Sequence, residues 1–504
     1  MSSKTVFNNL AIVDENPNML AFQLTDTNVA YANTLRRMVL TGVESVGFRS
    51  DMNDKGETSD VTVLVNTTPM TNEMLADRIG LIPVHATPDG WKKEDYQFEL
   101  DITNDTDKTL PVTASDFTVR KKGAVRRQNI RIGGSNENNQ NLENEENDNF
   151  GDQANSNPDN NNNQNNNQNN NNNNQNNNDE TTYEEPATAV ANKEFFHPNP
   201  KTGDTCLIAL LKAKQPNQAG QRIHLIASAS VGTGRQHIRF SPVCQCSYWY
   251  TIDTDEGRQQ MKFEKWLESY KNKKVADLKE ATTADGKPVL EILMKEFQTM
   301  EVQRCYKMNE QTGEPNSFDF VIESVGIETV EKIVERALRN IKAKCANYAK
   351  IDIERPKNLR VQPADARMKG FDFIFQNEDH TLGNLLQTYM DEHMMGTDVT
   401  FVGYKVPHPL RDEMVLRVGV DFPFDEQKDG KDTAALEAVA KAATACASMF
   451  DQWLNEWTTV IRGNRLRRNL ASLRPTATTQ RDVENAANMA KQLANRAKQP
   501  ATKV

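Results

Sequence analysis

The run Asp253-Thr254-Asp255-Glu256 is the first place to look for chemistry in this 504-residue chain. Clustered acids could hold the paired divalent cations that phosphoryl-transfer chemistry uses. The run follows a strand-like segment, however, and a charged turn at a strand end explains it more simply. It also fails as a calcium loop, because Gly257 comes one position too early. Other catalytic signatures do not accumulate. There is no Gly-x-x-x-x-Gly-Lys phosphate loop and no His-Glu-x-x-His among the seven histidines, and neither a nucleophile elbow nor a papain-like cysteine context is present. The sequence therefore predicts no catalytic residues.

Of the six cysteines, only Cys244 and Cys246 lie close together. Alternate residues of a strand face one side, which predicts that both thiols point into the core. A tetrahedral metal site needs two further ligands, and none is adjacent. No metal and no cofactor are expected. A basic segment, Arg462, Arg465, Arg467, Arg468 and Arg474, could touch nucleic acid or an acidic partner, but reads more simply as a solvated connection.

The bulk numbers agree with a protein that does not grip phosphate backbones. Net charge is −10, the pI is near 5.4 and mean hydropathy is −0.72. Scattered cysteines, with no secretory signal and no membrane-length apolar run, lead to the expectation of a soluble intracellular protein. Residues 134–180 are almost purely Asn, Gln, Asp and Glu. Such a composition buries too little apolar surface to offset the entropy of ordering, so a disordered surface insertion is expected there.

The elements around that tract repeat. Leu20 to Leu24 alternates like a strand and leads into a helix with Val29, Ala32, Val39 and Val43 on one stripe and Leu35 and Met38 beside it. Phe371, Phe373 and Phe375 alternate in the same way and lead into a helix carrying Leu382, Leu385, Leu386, Tyr389 and Met390. Each module closes on a long helix. One, from about residue 328 to 348, places Val334, Ala337 and Ile341 on one face. The other, from 432 to about 461, repeats Leu436, Val439, Ala443, Cys446, Phe450, Trp453 and Trp457 at coiled-coil spacing. Two apolar helix faces in one chain are most economically covered by each other. The intramolecular seam expected from this comprises Leu35, Val39, Val334, Ile341, Leu382, Leu385, Leu386, Tyr389, Val439, Phe450 and Trp453.

The fold class expected is α+β, with two strand–helix–sheet modules. The first is discontinuous, 1–50 and 223–353, and is interrupted by an insertion at 51–222. Pro356 and Pro363 bracket a polar linker at 354–367, the second module spans 368–461, and a polar tail follows at 462–504.

Five stretches carry a family resemblance. They are Ala32-Asn33-Thr34-Leu35-Arg36-Arg37; Val65-Asn66-Thr67-Thr68 with Asn72 to Pro83; Gly234 to Pro242; Phe318 to Gly326; and Glu378 to Leu386 with Val402 to Leu410. The first four resemble the third subunit of eukaryotic RNA polymerase II, the archaeal D subunit and, more distantly, the bacterial alpha subunit. The last resembles the smaller partner, the eleventh subunit or archaeal L. The resemblance covers about residues 20 to 460 outside the Asn-rich tract.

It implies a non-catalytic platform, a heterodimer in one piece, on which the largest and second-largest subunits assemble beside other small subunits. DNA and RNA would be met only through that complex, and no membrane is involved. It also implies contact with the second-largest subunit through Arg36, Arg37, Glu73, Arg78 and Pro83. Fused pairs of this kind resemble those of large cytoplasmic DNA viruses, which would place the protein in the host cytoplasm and the virion, and otherwise in the nucleus. The chain departs from its relatives in one respect: the region from Ser50 to Arg222 holds Cys206 alone, where many carry a metal or cluster. A rival reading is a nucleic-acid-binding regulator that reuses the dimerisation fold through its basic tail.

Overall fold

The computed structural model describes residues 5–12, 18–51, 60–123, 125–129, 180–184, 187–272, 274–278, 281, 288–364, 369–420 and 432–473. Most of the Asn-rich tract, and the tail beyond Leu473, lie outside the described residues. Residues 120–189 form a small unit of their own, in which Val125–Asn129 and Glu180–Glu184 pair as an antiparallel ribbon. All that follows concerns the larger unit.

The repeat read from the sequence is a repeat of topology. The first module has a four-stranded antiparallel sheet in the spatial order Phe7–Ile12, Met19–Thr25, Ser317–Ser324, Val243–Tyr250. The second has Leu359–Pro363, Phe371–Gln376, Glu413–Gly419, Phe401–Lys405. Numbered along the chain, both orders are first, second, fourth, third. In each module a helix follows the second strand and a long helix follows the fourth. These are α1 (Val29–Thr41) and α6 (Val330–Ala346) in the first, and α7 (His380–Met394) and α8 (Thr433–Leu473) in the second. Asn28 caps α1 by accepting from the amide of Ala30, and Asp379 caps α7 by accepting from that of Thr381.

Several sequence expectations need correcting. The opening strand Phe7–Ile12 stands where no element is expected, and its counterpart Leu359–Pro363 lies inside the expected linker at 354–367. Pro363 does not break the strand because it sits at the end of an edge strand, where a missing N–H costs no ladder bond. The boundary at 222/223 cuts a strand. Gln221–Ala227 pairs with Val61–Asn66 on one side and Tyr96–Asn104 on the other, so it belongs to the inserted body. That body has its own core of Leu75, Ile79, Phe98, Phe117, Ile208 and Leu225, with α2 (Asn72–Gly80) packed on it. Between the third and fourth strands of the first module lie α3 (Glu256–Lys271), α4 (Val275–Leu278) and α5 (Val289–Met300), around Phe263, Trp266 and Phe297. Finally, α8 continues to Leu473, past the end expected near Ile461. No helix among the described residues is long and apolar enough to cross a membrane.

Candidate functional site

The seam between the modules is a single hydrophobic core. Leu35 and Val39 of α1, Val334 and Ile341 of α6, Leu382, Leu385 and Leu386 of α7, and Val439, Phe450 and Trp453 of α8 are all buried in it, with Tyr389 packed at its margin. Aromatic rings close one end. Trp457 meets Phe7 and Phe22 edge-on, at 5.0 and 5.2 Å between centroids, and its indole N–H donates to the Glu331 carbonyl at 3.0 Å. Cys345 and Cys446 are also buried in this core. Burial pushes the Cys345 thiol up to about 12 and raises Cys446 as well, so neither offers a thiolate. Gly383 lets α7 approach its own sheet, since a Cβ there would sit 2.4 Å from the Tyr404 ring.

Polar contacts rim the seam. Arg37 on α1 donates to the Thr381 hydroxyl at 2.8 Å and reaches Asp379 at 3.2 Å. Tyr31 and Asn28 both donate to Glu392 at 2.7 Å. On α6, Lys344 meets Glu378 at 2.6 Å and Lys342 meets Asp451 at 2.7 Å, and just past the helix Tyr348 donates to Glu378 at 3.1 Å. Arg235 donates to the Asn377 carbonyl at 2.7 Å and pairs with Asp412. Just past α6, Arg355 meets Asp432 at 2.6 Å.

A second surface is built on α2. Thr71 caps the helix, and Leu75, Ala76, Ile79 and Gly80 face inward. Met74 and Leu81 face out, with 56% and 63% of their surface exposed, and Glu73 is exposed beside them. Arg78 donates to the carbonyls of Ile208 and Leu207 at 2.7 and 3.0 Å, tying the helix to a strand whose Leu207 and Leu210 are also exposed. Pro83 is half-buried just beyond the helix.

The structure thus collects Glu73, Arg78 and Pro83 at one place and sends the α1 arginines elsewhere. Arg37 is spent on α7, and Arg36 donates to Asn33 one turn back. Among the described residues no hydrogen bond or ion pair joins these arginines to α2. Sequence reasoning missed Arg239, although it lies within the quoted Gly234–Pro242 stretch. Its side chain is 4% exposed, donates to the Phe48 carbonyl at 3.1 Å and to Ser50 and His237, and lies 4.0 Å from Asp77 of α2. Gly80 makes room for it, because a Cβ there would stand 2.3 Å from the guanidinium.

The candidate catalytic carboxylates are structural. Asp255 caps α3 by accepting from the amide of Arg258 at 2.8 Å, and the Arg258 guanidinium holds buried Asp253 below the usual carboxylate range. The expectation for the cysteine pair fails in part. Cys246 is buried but Cys244 is exposed, because a register shift between Val243 and Gln245 breaks the alternation. Among the described residues no three His, Cys, Asp or Glu side chains gather where a metal could sit. Treating the purified protein with phenanthroline or EDTA should therefore leave its Tm unchanged in a thermal melt. A fall of several degrees would reveal a structural metal.

Comparison with known proteins bears on both modules. A family model described as the RNA polymerase Rpb3/Rpb11 dimerisation domain matches residues 21–345, and a second of the same description matches 371–456. The probable DNA-directed RNA polymerases I and III subunit RPAC2 of Caenorhabditis elegans is 36% identical over 104 residues, 20% of this chain and 58% of the relative. The probable DNA-directed RNA polymerase II subunit RPB11 of Caenorhabditis briggsae is 46% identical over 46 residues, 9% of this chain and 35% of the relative. A conjugation stage-specific protein of Tetrahymena thermophila is 27% identical over 117 residues, 20% of this chain and 33% of the relative. The chain spans a little over half the length of the first of these.

Proposed function

Because this chain belongs to the RNA polymerase Rpb3/Rpb11 dimerisation-domain family, we propose that it is a non-catalytic assembly subunit of a DNA-directed RNA polymerase, carrying both dimerisation partners in one polypeptide. The observation that supports this reading best is the doubled topology: two copies of one strand–strand–helix–strand–strand–helix order share a single core through α1, α6, α7 and α8. Joined by the short connection after α6, the partners meet at an effective concentration on the order of millimolar, so their pairing does not depend on expression level. The pair is a platform for the largest and second-largest subunits, with other small subunits alongside. Nucleic acid is reached only through the complex. The single-chain arrangement favours a large DNA virus that transcribes in the host cytoplasm.

The α2 surface is the proposed contact with the second-largest subunit. Met74, Leu81, Leu207 and Leu210 supply exposed apolar area, and Glu73 and Pro83 lie at its edge. Arg78 acts by fixing the helix. Affinity purification of the tagged chain from its native source should recover the two largest polymerase subunits at one to one, with no separate small partner. Recovery of the chain alone, or a salt-sensitive complex with DNA only, would overturn the proposal. Replacing Met74 and Leu81 together with Asp should reduce recovery of the second-largest subunit at least tenfold while Tm moves by no more than about 3 °C, since both side chains already face solvent.

A further inference from the structure

The ion pairs that cross the seam all point one way. Every cation comes from the first module or the chain leaving it: Arg37, Arg235, Lys342, Lys344 and Arg355. Every carboxylate comes from the second: Asp379, Asp412, Asp451, Glu378 and Asp432, in the same order of pairing. Second-module carboxylates also accept from neutral donors of the first module, although the Trp457 indole donates the other way to a backbone carbonyl. Glu392 accepts from Tyr31 and Asn28, and Glu456 accepts from the backbone amide of Val6 at 2.8 Å. Among the described residues no ion pair crosses the seam in the opposite sense.

We propose that this one-way charge pattern is a pairing code. It makes the second module a receptor for the first and prevents either from pairing with a copy of itself. The two modules share one topology, and like helices meet at the seam, α1 with α7 and α6 with α8, so self-pairing is the natural competitor. In a symmetric pair the same patch lies on both sides. Two second modules would bring together two copies of a patch carrying Glu378, Asp379, Glu392 and Asp451, without the cations that meet these carboxylates here. Two first modules would likewise bring together two copies of the patch carrying Arg37, Lys342 and Lys344. The apolar stripe cannot discriminate in this way, because both modules present aliphatic residues at the seam. Like charges brought together at an interface discriminate strongly, whatever the net strength of each correct pair. Glu378 carries the most weight: its side chain is only 9% exposed, and it holds two donors, Lys344 of α6 and Tyr348 just past it, so no solvent relieves a wrong neighbour.

The inference rests on the pairing part of the reading above and not on polymerase membership. A full chain with a protease site inserted after Arg355, in the exposed turn between α6 and the first strand of the second module, is cut after folding, and the halves are followed by native mass spectrometry and by dissociation on dilution. The cut parent should remain one-to-one, and second halves released by dilution should not form homodimers. Lys342→Glu with Lys344→Glu should raise the dissociation constant of the halves at least tenfold. Adding Glu378→Lys and Asp451→Lys should recover most of that loss. The recovery separates a charge code from a general folding defect. Homodimers of the released second half, or halves of the reversed variant that hold as firmly as the parent's, would overturn the proposal. Intact pairing without polymerase subunits in the purification would leave it standing and sink the functional reading instead.

Discussion

Trp457→Ala is expected to destabilise the protein by about 3–5 kcal/mol in urea unfolding, the range for removing a large aromatic side chain from a packed core. The site leaves little room for collapse. Trp457 is 1% exposed and wedged against Phe7 and Phe22, whose ring stacks in turn on Phe320 at 5.1 Å, so three elements would have to shift to refill the space. The Glu331 carbonyl would also lose its indole donor. Because Trp457 belongs to the second module and the ring cluster to the first, the loss falls on pairing. Once cleaved between the modules, the variant should separate at concentrations where the parent stays joined. Unfolding midpoints within about 0.5 kcal/mol of the parent would mean that these rings are not packed as described.

Arg239→Met should cost about 2–4 kcal/mol, and its effect should be local. The guanidinium is buried, and removing it takes a charged donor from the Phe48 carbonyl, the Ser50 hydroxyl and a His237 nitrogen, although Ser50 still donates to Asp77 and His237 still accepts from the backbone amide of residue 239. These partners belong to the connection between the first module and α2. Hydrogen exchange should therefore speed up in α2 and the strands beneath it while α6 and α8 keep their protection. Gly80→Ala should reproduce the local signature more weakly, because its Cβ would displace the same side chain and crowd the Phe48 carbonyl at 3.1 Å. Uniform acceleration across both cores would argue against Arg239 as a local tie.

What the sequence disclosed follows from periodicity. The α8 stripe from Leu436 to Trp457 recurs at three and four, and the core that covers it needs no further information to be inferred. Phe7–Ile12 and Leu359–Pro363 were less legible. The first is short and rich in Asn, and the second ends on a proline; both are edge strands, half specified by the neighbour they pair with. The site shows the same division. Residue types on helix faces could be read, but the partner of each could not. Arg37 and Arg78 look alike in sequence, yet one crosses to α7 and the other binds backbone carbonyls. Arg239 lay in a stretch that carried the resemblance, but a buried guanidinium held by a carbonyl, a hydroxyl and an imidazole leaves no spacing rule to single it out. The bulge at Cys244 was hidden for the same reason, since one extra residue in a strand changes no composition.

The closure of the seam by Trp453 and Trp457 on Phe7 joins residues some 450 positions apart, and this has a consequence for synthesis on the ribosome. When α6 has emerged, its apolar face and that of α1 exist but have no cover until residue 461 follows, 116 residues after Cys345. At about 5–20 residues per second, that leaves roughly 6–23 s in which a nascent chain displays an unpaired apolar surface. Two separate subunits would each leave the ribosome in that condition and then have to find one another. Here the waiting time is set by elongation alone, and translational pausing within the second module should be the step that most exposes this chain to chaperones and to aggregation.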